Sequence, residues 1–126
     1  MKIGIIGCGL IGHKRAASLG EHKLIAVADI DIKKAMNLAE KHPHVLIYTD
    51  YKELLKRKDI DIIIVSTTNN MLAQIASDAI RVKKHVLIEK PGAIHYSELD
   101  VLILLAKKYN VKVQIGYNLR YHPAIS

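Results

Sequence analysis

The sequence predicts an α/β fold in which a doubly wound, parallel sheet of six strands carries helices on both faces. Three observations support this prediction: short apolar runs alternate with helical patterns, no hairpin signal interrupts them, and a glycine motif follows the first run. Continuous apolar runs are typical of strands buried on both faces of a parallel sheet. Their alternation with helices favours a sheet that is covered on both sides.

The length and composition indicate a single globular domain. The chain has 126 residues, of which 50% are apolar and 25% are charged, and it contains neither Phe nor Trp. At this size about two-thirds of the unfolded surface can be buried, so a core forms without disulfides or metals. A two-domain enzyme of ordinary size does not fit in this length.

Six apolar runs have the length and β-branched content of buried strands. They span residues 3–6, 24–28, 45–48, 60–65, 85–88 and 111–115. Six such strands can build both mononucleotide-binding halves of a doubly wound fold. We therefore expect residues 1–118 to form the domain, and the tail that follows, residues 119–126, has no partner element in this chain.

Helical patterns fill the intervals, and in three of them apolar residues recur at i, i+3, i+4 and i+7. The stripes are Ile32, Ala35, Met36 and Ala39, then Leu72, Ile75, Ala76 and Ala79, then Leu102, Leu105, Ala106 and Tyr109. Cap residues are expected near the helix ends. They are Gly20, Asp50, Asn69, Asn70 and the capping-box pair Ser97 and Asp100.

A glycine motif of the form G-x-G-x-x-G directly follows the first strand and opens the first helix. It consists of Gly7, Cys8, Gly9, Leu10, Ile11 and Gly12. Gly7 allows a tight turn, Gly9 lets the backbone approach a pyrophosphate, and Gly12 lets the helix pack closely on the strand. The loop amides and the helix N-terminus attract phosphates. Together with Asp29, which ends the second strand and can bind a ribose hydroxyl, the motif predicts a dinucleotide site in a Rossmann fold.

The acid at position 29 favours NAD as the cofactor, because its carboxylate repels the 2′-phosphate of NADP. NADP is not excluded, since Lys33 and Lys34 lie one turn further on and can swing toward a phosphate. They can equally form the polar face of a helix. Cys8 is expected to fill space in the loop rather than to react, although a helix N-terminus lowers the pKa of a thiol.

Polar residues follow the fourth and fifth strands, at the edge where doubly wound folds bind ligands. After the fourth strand they are Ser66, Thr67, Thr68 and Asn69, which can contact a cofactor, cap the next helix, or do both. After the fifth strand come Glu89, Lys90 and Pro91. Lys90 can carry positive charge toward a substrate hydroxyl, or it can form an ordinary surface salt bridge with Glu89. The residues alone leave both roles open.

These segments together resemble the glucose–fructose oxidoreductase / inositol dehydrogenase / MocA family. The similarity is carried by the glycine motif and by residues 27–29 (Val-Ala-Asp), 66–69 (Ser-Thr-Thr-Asn), 85–91 (His-Val-Leu-Ile-Glu-Lys-Pro) and 116–123 (Gly-Tyr-Asn-Leu-Arg-Tyr-His-Pro). It extends over the whole chain. The sequence departs from the family at Lys83, where a glycine is usual, so we expect that turn to be built differently.

The resemblance implies an NAD(P)-dependent oxidoreductase that acts on a sugar, nucleotide-sugar or cyclitol hydroxyl. Lys90 would be its catalytic lysine beside the nicotinamide, and Glu89 would lie near the nicotinamide ribose. By the same resemblance, residues 119–126 would begin a connection to a substrate domain that is absent from the chain. The family's acid/base Asp and His belong to that second domain, so this chain is expected to bind a dinucleotide and to catalyse little alone. The full-length protein is expected to form a homo-oligomer. The alternative is a stand-alone regulatory NAD-binding module, which needs no lysine after the fifth strand.

Charge and cysteine content narrow the partners and the compartment. The net charge is +7, but the basic residues, including the pairs 14–15 and 83–84, are scattered without interleaved aromatic residues. They predict a solvated surface rather than a nucleic-acid-binding patch. One cysteine, no signal peptide and no membrane-spanning run favour the cytoplasm. His42 and His44 have no third ligand nearby, so no metal site is expected.

Overall fold

The structure is a computed structural model that describes residues 1–67, 70–89 and 96–116. In this part of the chain, strands and helices alternate from end to end. The strands are β1 (Lys2–Ile6), β2 (Lys23–Ala28), β3 (Leu46–Tyr48), β4 (Ile62–Val65), β5 (His85–Glu89) and β6 (Val113–Gly116). The helices are α1 (Leu10–Ala17), α2 (Ile32–Glu40), α3 (Tyr51–Leu55), α4 (Leu72–Arg81) and α5 (Tyr96–Tyr109).

The six strands form one parallel sheet in the order β3-β2-β1-β4-β5-β6. The chain moves outward from β1 to β3, crosses back to β4 beside β1, and then moves outward in the other direction. This order is that of a doubly wound Rossmann fold, whose ligands bind where the order reverses, at the carboxyl ends of β1 and β4. The predicted fold class and all six predicted strands are confirmed.

The sheet separates two apolar clusters because alternate strand residues point to opposite faces. On the face covered by α1 and α2, the cluster contains Ile3, Ile5, Val27, Ile64 and Leu87 from the strands, Ala16, Ala35 and Leu38 from the helices, and Leu19 from the turn after α1. On the other face, Ala26, Ile63, Val65, Val86 and Ile88 pack with residues of α3, α4 and α5. Aliphatic side chains therefore fill both layers.

The predicted buried stripes are correct for α4 and α5, and the one on α2 is partly wrong. Ala35 is fully buried as predicted, but Leu38 joins it in the core. Ile32 and Met36 are 43% and 49% exposed. The adjoining strand β3 is a three-residue edge strand, so α2 has little sheet to cover and buries only a narrow stripe.

The predicted helix caps were correct at some helix ends and wrong at others. Asp50 caps α3 as predicted, and its carboxylate accepts a hydrogen bond from the backbone N–H of Lys52 at 2.9 Å. Ser97 lies inside α5 rather than at its cap, and α4 begins after Met71 rather than directly after an asparagine. Lys83 adopts a φ of 64°, the left-handed conformation that glycine accepts most readily. Among the described residues, no helix has the length and apolarity needed to cross a membrane.

Candidate functional site

The loop after β1 is tightly packed at two of its three glycines. Gly7 has a φ of 99°, and its N–H donates to the carbonyl oxygen of Ala28 at 2.9 Å. A Cβ on Gly7 would lie 2.7 Å from the backbone nitrogen of Thr67, and one on Gly12 would overlap the carbonyl oxygen of Gly7. Neither position has room for a side chain, so the loop turns sharply and α1 sits directly on it.

Gly9 differs from the other two glycines because the space around it is open. No heavy atom lies within 4 Å of the place where its Cβ would be. Gly9 is also the N-cap residue of α1, and the first turn of that helix contains no acidic residue. The positive end of the helix dipole therefore lies next to open space at Gly9, which suits a phosphate group.

Asp29 follows β2 and ties the glycine loop to the neighbouring strand. Its Oδ2 accepts the backbone N–H of Cys8 at 2.8 Å, and its Oδ1 accepts the backbone N–H of Asp31 at 2.9 Å. A carboxylate can accept about four hydrogen bonds, so two acceptor positions remain for ribose hydroxyls. Lys33 and Lys34 are both exposed in the first turn of α2, where Asp31 caps the backbone N–H of Lys33 at 3.0 Å.

A cavity opens beside Asp29 at the point where the strand order reverses. Its wall includes Gly7 and Asp29 together with Thr49, Tyr51 and Ile75. The hydroxyl of Tyr51 donates to Asp78 on α4 at 2.6 Å, which fixes the ring. Burial, and then this contact with Asp78, raise the pKa of the Tyr51 hydroxyl. No sequence pattern pointed to Tyr51, because its place at the cavity depends on the packing of α3 against α4.

The two described residues directly after β4 have different roles: one packs against the glycine loop and the other lines the cavity. Ser66 is 8% exposed, and its hydroxyl donates to the carbonyl oxygen of Gly7, so it supports the glycine loop from below. Thr67 lines the cavity beside Asp29. The predicted site residues Thr68 and Asn69 lie outside the described residues.

Cys8 is buried within the loop, as expected for a space-filling residue. Its side chain is 1% exposed, and its thiol donates to the carbonyl oxygen of Ala28 at 3.5 Å. Burial, with a further contribution from the negative charge of Asp29, raises the pKa of the thiol to about 12. Burial therefore outweighs any lowering of the thiol pKa by the helix N-terminus.

Glu89 ends β5, and its carboxylate turns toward α1 rather than toward solvent. It forms an ion pair with Arg15, and the two residues are 6% and 4% exposed. Burial raises the pKa of Glu89, and the guanidinium of Arg15 opposes that shift. The predicted catalytic residue Lys90, and Pro91 after it, lie outside the described residues.

Two basic residues that the sequence placed on the surface are in fact buried. Arg15 reaches Glu89, and Lys84 is 5% exposed, with its ammonium donating to backbone carbonyls. Both belong to basic pairs whose other members, Lys14 and Lys83, are exposed. The surface prediction was wrong for these two because their partners are distant in the sequence.

The strand order, the glycine loop and the acid after β2 define a dinucleotide-binding Rossmann domain. Comparison with known families agrees: residues 1–117 match GFO_IDH_MocA, an oxidoreductase family with an NAD-binding Rossmann fold. The chain belongs to this family. The resemblance inferred from the sequence and the assignment of a nicotinamide dinucleotide as cofactor are thus confirmed.

Known relatives cover the chain almost completely but are much longer than it. It is 34% identical to the uncharacterized oxidoreductase YrbE of Bacillus subtilis over 95% of the chain and 36% of that protein. It is 32% identical to inositol 2-dehydrogenase of Salmonella typhimurium over 96% of the chain and 38% of that protein. A crystal structure of a KijD10 variant, a 3-ketoreductase from Actinomadura kijaniata in complex with TDP-benzene and NADP, is also similar. Its TM-score is 0.84 at 26% identity, over 98% of the chain and 39% of that protein.

Proposed function

We propose that this chain is the cofactor-binding part of an oxidoreductase that moves hydride between a nicotinamide dinucleotide and a hydroxyl of a sugar, nucleotide-sugar or cyclitol. The substrate class is supported by the relatives named inositol 2-dehydrogenase and by the complex of the 3-ketoreductase with TDP-benzene and NADP. The observation that carries the proposal is the glycine loop, which is closed at Gly7 and Gly12 and open at Gly9.

The residues around the loop fit a dinucleotide. The N-terminal amides of α1 at Gly9 would hold the pyrophosphate, and the carboxylate of Asp29 would accept hydrogen bonds from a ribose. When bound, the nicotinamide ring supplies or accepts the hydride. Asp29 favours NAD over NADP, because a 2′-phosphate would meet a carboxylate that already holds the loop in place.

The remaining assignments rest on the resemblance and on chain length. Lys90, next after Glu89, would hold or deprotonate the substrate hydroxyl. Residues 1–118 would form the cofactor domain and residues 119–126 would lead into a substrate domain, so the chain alone would be catalytically incomplete. The chain spans little more than a third of the length of the relatives it matches, which supports this division. We place the full-length protein in the cytoplasm as a homo-oligomer.

The test is a titration of the 126-residue chain with NADH, followed by nicotinamide fluorescence. Wild-type chain should change the fluorescence of NADH. Gly9→Ala should fold normally, because nothing lies within 4 Å of the new methyl group, yet it should weaken NADH binding at least about tenfold by blocking the approach of the pyrophosphate.

The matched control is Gly20→Asn, which also adds a side chain in open space, near the far end of α1. Asn tolerates the φ of 61° found there, so both stability and NADH affinity should stay close to wild type. If the wild-type chain left NADH fluorescence unchanged, the proposed cofactor function would be refuted. In the full-length protein, Lys90→Ala with intact turnover would refute the catalytic assignment.

A further inference from the structure

The ion pair between Arg15 and Glu89 joins two parts of the molecule that have no direct backbone connection. Arg15 lies on α1, the helix that opens at the glycine loop, and Glu89 is the last residue of β5. In the sheet, β4 separates β5 from β1, so the hydrogen-bond ladder links the glycine loop to β5 only through β4. The side-chain pair provides the direct link.

Stability alone is a poor explanation for this pair. Two charges that are 4% and 6% exposed have lost nearly all of their hydration, and a well-packed apolar pair of similar size is often at least as stable. The Nε of Arg15 also has no hydrogen-bond partner among the described residues, so the guanidinium is not fully satisfied. The pKa of Glu89 is raised because burial disfavours its charged form.

The position of the pair relates it to the proposed site. The N-terminus of α1 would hold the pyrophosphate, whereas Glu89 ends β5 and is followed in the sequence by Lys90, the residue to which the proposed function gives the role beside the nicotinamide. The contact joins one nitrogen of the guanidinium to Oε1 of Glu89, and separating the two groups would leave each charge buried and unpaired, so the pair restrains the distance between α1 and the end of β5. The pair can therefore set how the β5 end lies relative to the glycine loop.

We propose that Arg15 is a positioning residue which, through Glu89, adjusts the carboxyl end of β5 to the nicotinamide half of the dinucleotide. This inference rests on the proposed function. It predicts that Arg15 affects binding of the nicotinamide half more than binding of the adenosine and pyrophosphate half, although its own side chain is buried beneath the site.

The experiment compares NADH with ADP-ribose, which lacks the nicotinamide, as ligands of the 126-residue chain. The measured quantity is the ratio of the two dissociation constants. Wild type should bind NADH more tightly than ADP-ribose, and Arg15→Met should lower that preference by about fivefold or more, in the range of ordinary coupling between sites. Arg15→Lys, which keeps the charge but not the fork, should restore part of the preference. Lys14→Met, an exposed change on the same helix, should leave it unchanged.

The double variant Arg15→Met with Glu89→Met separates positioning from stability. It leaves no unpaired buried charge, so it should fold even if Arg15→Met does not. A folded double variant that prefers NADH as strongly as wild type would overturn the inference while leaving the proposed function intact. Wild-type chain that bound neither ligand would overturn the proposed function and this inference with it.

Discussion

The two ends of β5 each carry a buried charge, and they hold it in different ways. At the amino end, the ammonium of Lys84 donates to the carbonyl oxygens of Arg57 and Ile60 at 2.5 and 2.9 Å. At the carboxyl end, Glu89 is held by the side chain of Arg15 on another layer. Because backbone carbonyl oxygens are held in place by the fold, Lys84 ties the start of β5 to the segment before β4. The pair with Arg15 instead joins two side chains of different elements at the carboxyl edge of the sheet, where doubly wound folds bind ligands.

The pKa values show that burial is costly at both ends. Burial lowers the pKa of Lys84, and the nearby carboxylates of Asp59 and Asp61 only partly oppose the shift. Burial raises the pKa of Glu89 against the effect of Arg15. In both groups, burial therefore disfavours the charged form. From their positions we expect the one at the amino end to serve the fold and the one at the carboxyl end to serve the ligand.

The largest effect is expected at the carboxyl edge, from Gly12→Ala. The new Cβ would overlap the carbonyl oxygen of Gly7 and lie 3.2 Å from Oγ of Ser66, and a backbone atom cannot move aside cheaply. Overpacking of this kind should lower the free energy of unfolding by about 3 kcal/mol and abolish NADH binding. Urea unfolding measures the first effect and fluorescence the second. Full stability in Gly12→Ala would show that the loop is not packed as described.

The amino end of β5 is tested by Lys84→Met. Two carbonyl oxygens, that of the buried Ile60 and that of the half-buried Arg57, would lose a charged donor, so the free energy of unfolding should fall by about 2 kcal/mol. Because Lys84 lies at the opposite edge from the site, NADH affinity of the folded variant should not change. Lys58→Met, an exposed change nearby, should shift stability by less than about 0.5 kcal/mol. Loss of NADH affinity in folded Lys84→Met would refute the division of roles between the two ends.

A smaller effect is expected from Asp29→Asn, which tests how the choice between NADH and NADPH is made at the carboxyl edge. The change removes the negative charge that opposes a 2′-phosphate, so affinity for NADPH relative to NADH should rise about tenfold, or 1.4 kcal/mol. The amide can accept from only one of the two N–H groups of Cys8 and Asp31, so stability should fall slightly. Parallel titrations with both cofactors measure the ratio. An unchanged ratio would mean that another group sets the preference.

Features that depend on residues close together in the sequence were predicted correctly. The β-branched runs, the glycine spacing and the cap at Asp50 are local signals, and the six strands and the position of the loop follow from them. The stripes on α4 and α5 were also correct, because the buried residues of both helices belong to the larger apolar cluster on one face of the sheet. The stripe on α2 failed at Ile32 and Met36, since periodicity does not say how much sheet a helix has to cover.

Contacts between segments that are far apart in the sequence could not be predicted from local patterns. Arg15 and Lys84 look like surface charges because each sits in a basic pair, and only the packing of α1 and of the loop before β4 buries them. Tyr51 reaches the cavity through its contact with Asp78 on another helix. The position of Lys90 relative to the site remains a prediction.

The smallest effect concerns Cys8, whose burial predicts how stability changes in alkali. An unfolded chain releases the thiol proton near the ordinary pKa of 9.0, whereas the folded chain holds it until about pH 12. Between these values the unfolded state binds fewer protons, so the free energy of unfolding should fall as pH rises, by about 1 kcal/mol from this group at pH 10. Cys8→Ala should lose less stability than wild type between pH 8 and pH 10, as measured by urea midpoints. The raised pKa of Tyr51 adds a similar loss to both proteins and cancels in the comparison.

Equal slopes for the two proteins would mean that the thiol ionises freely in the folded chain. The loop would then be more open around Cys8 than its packing against Ala28 indicates.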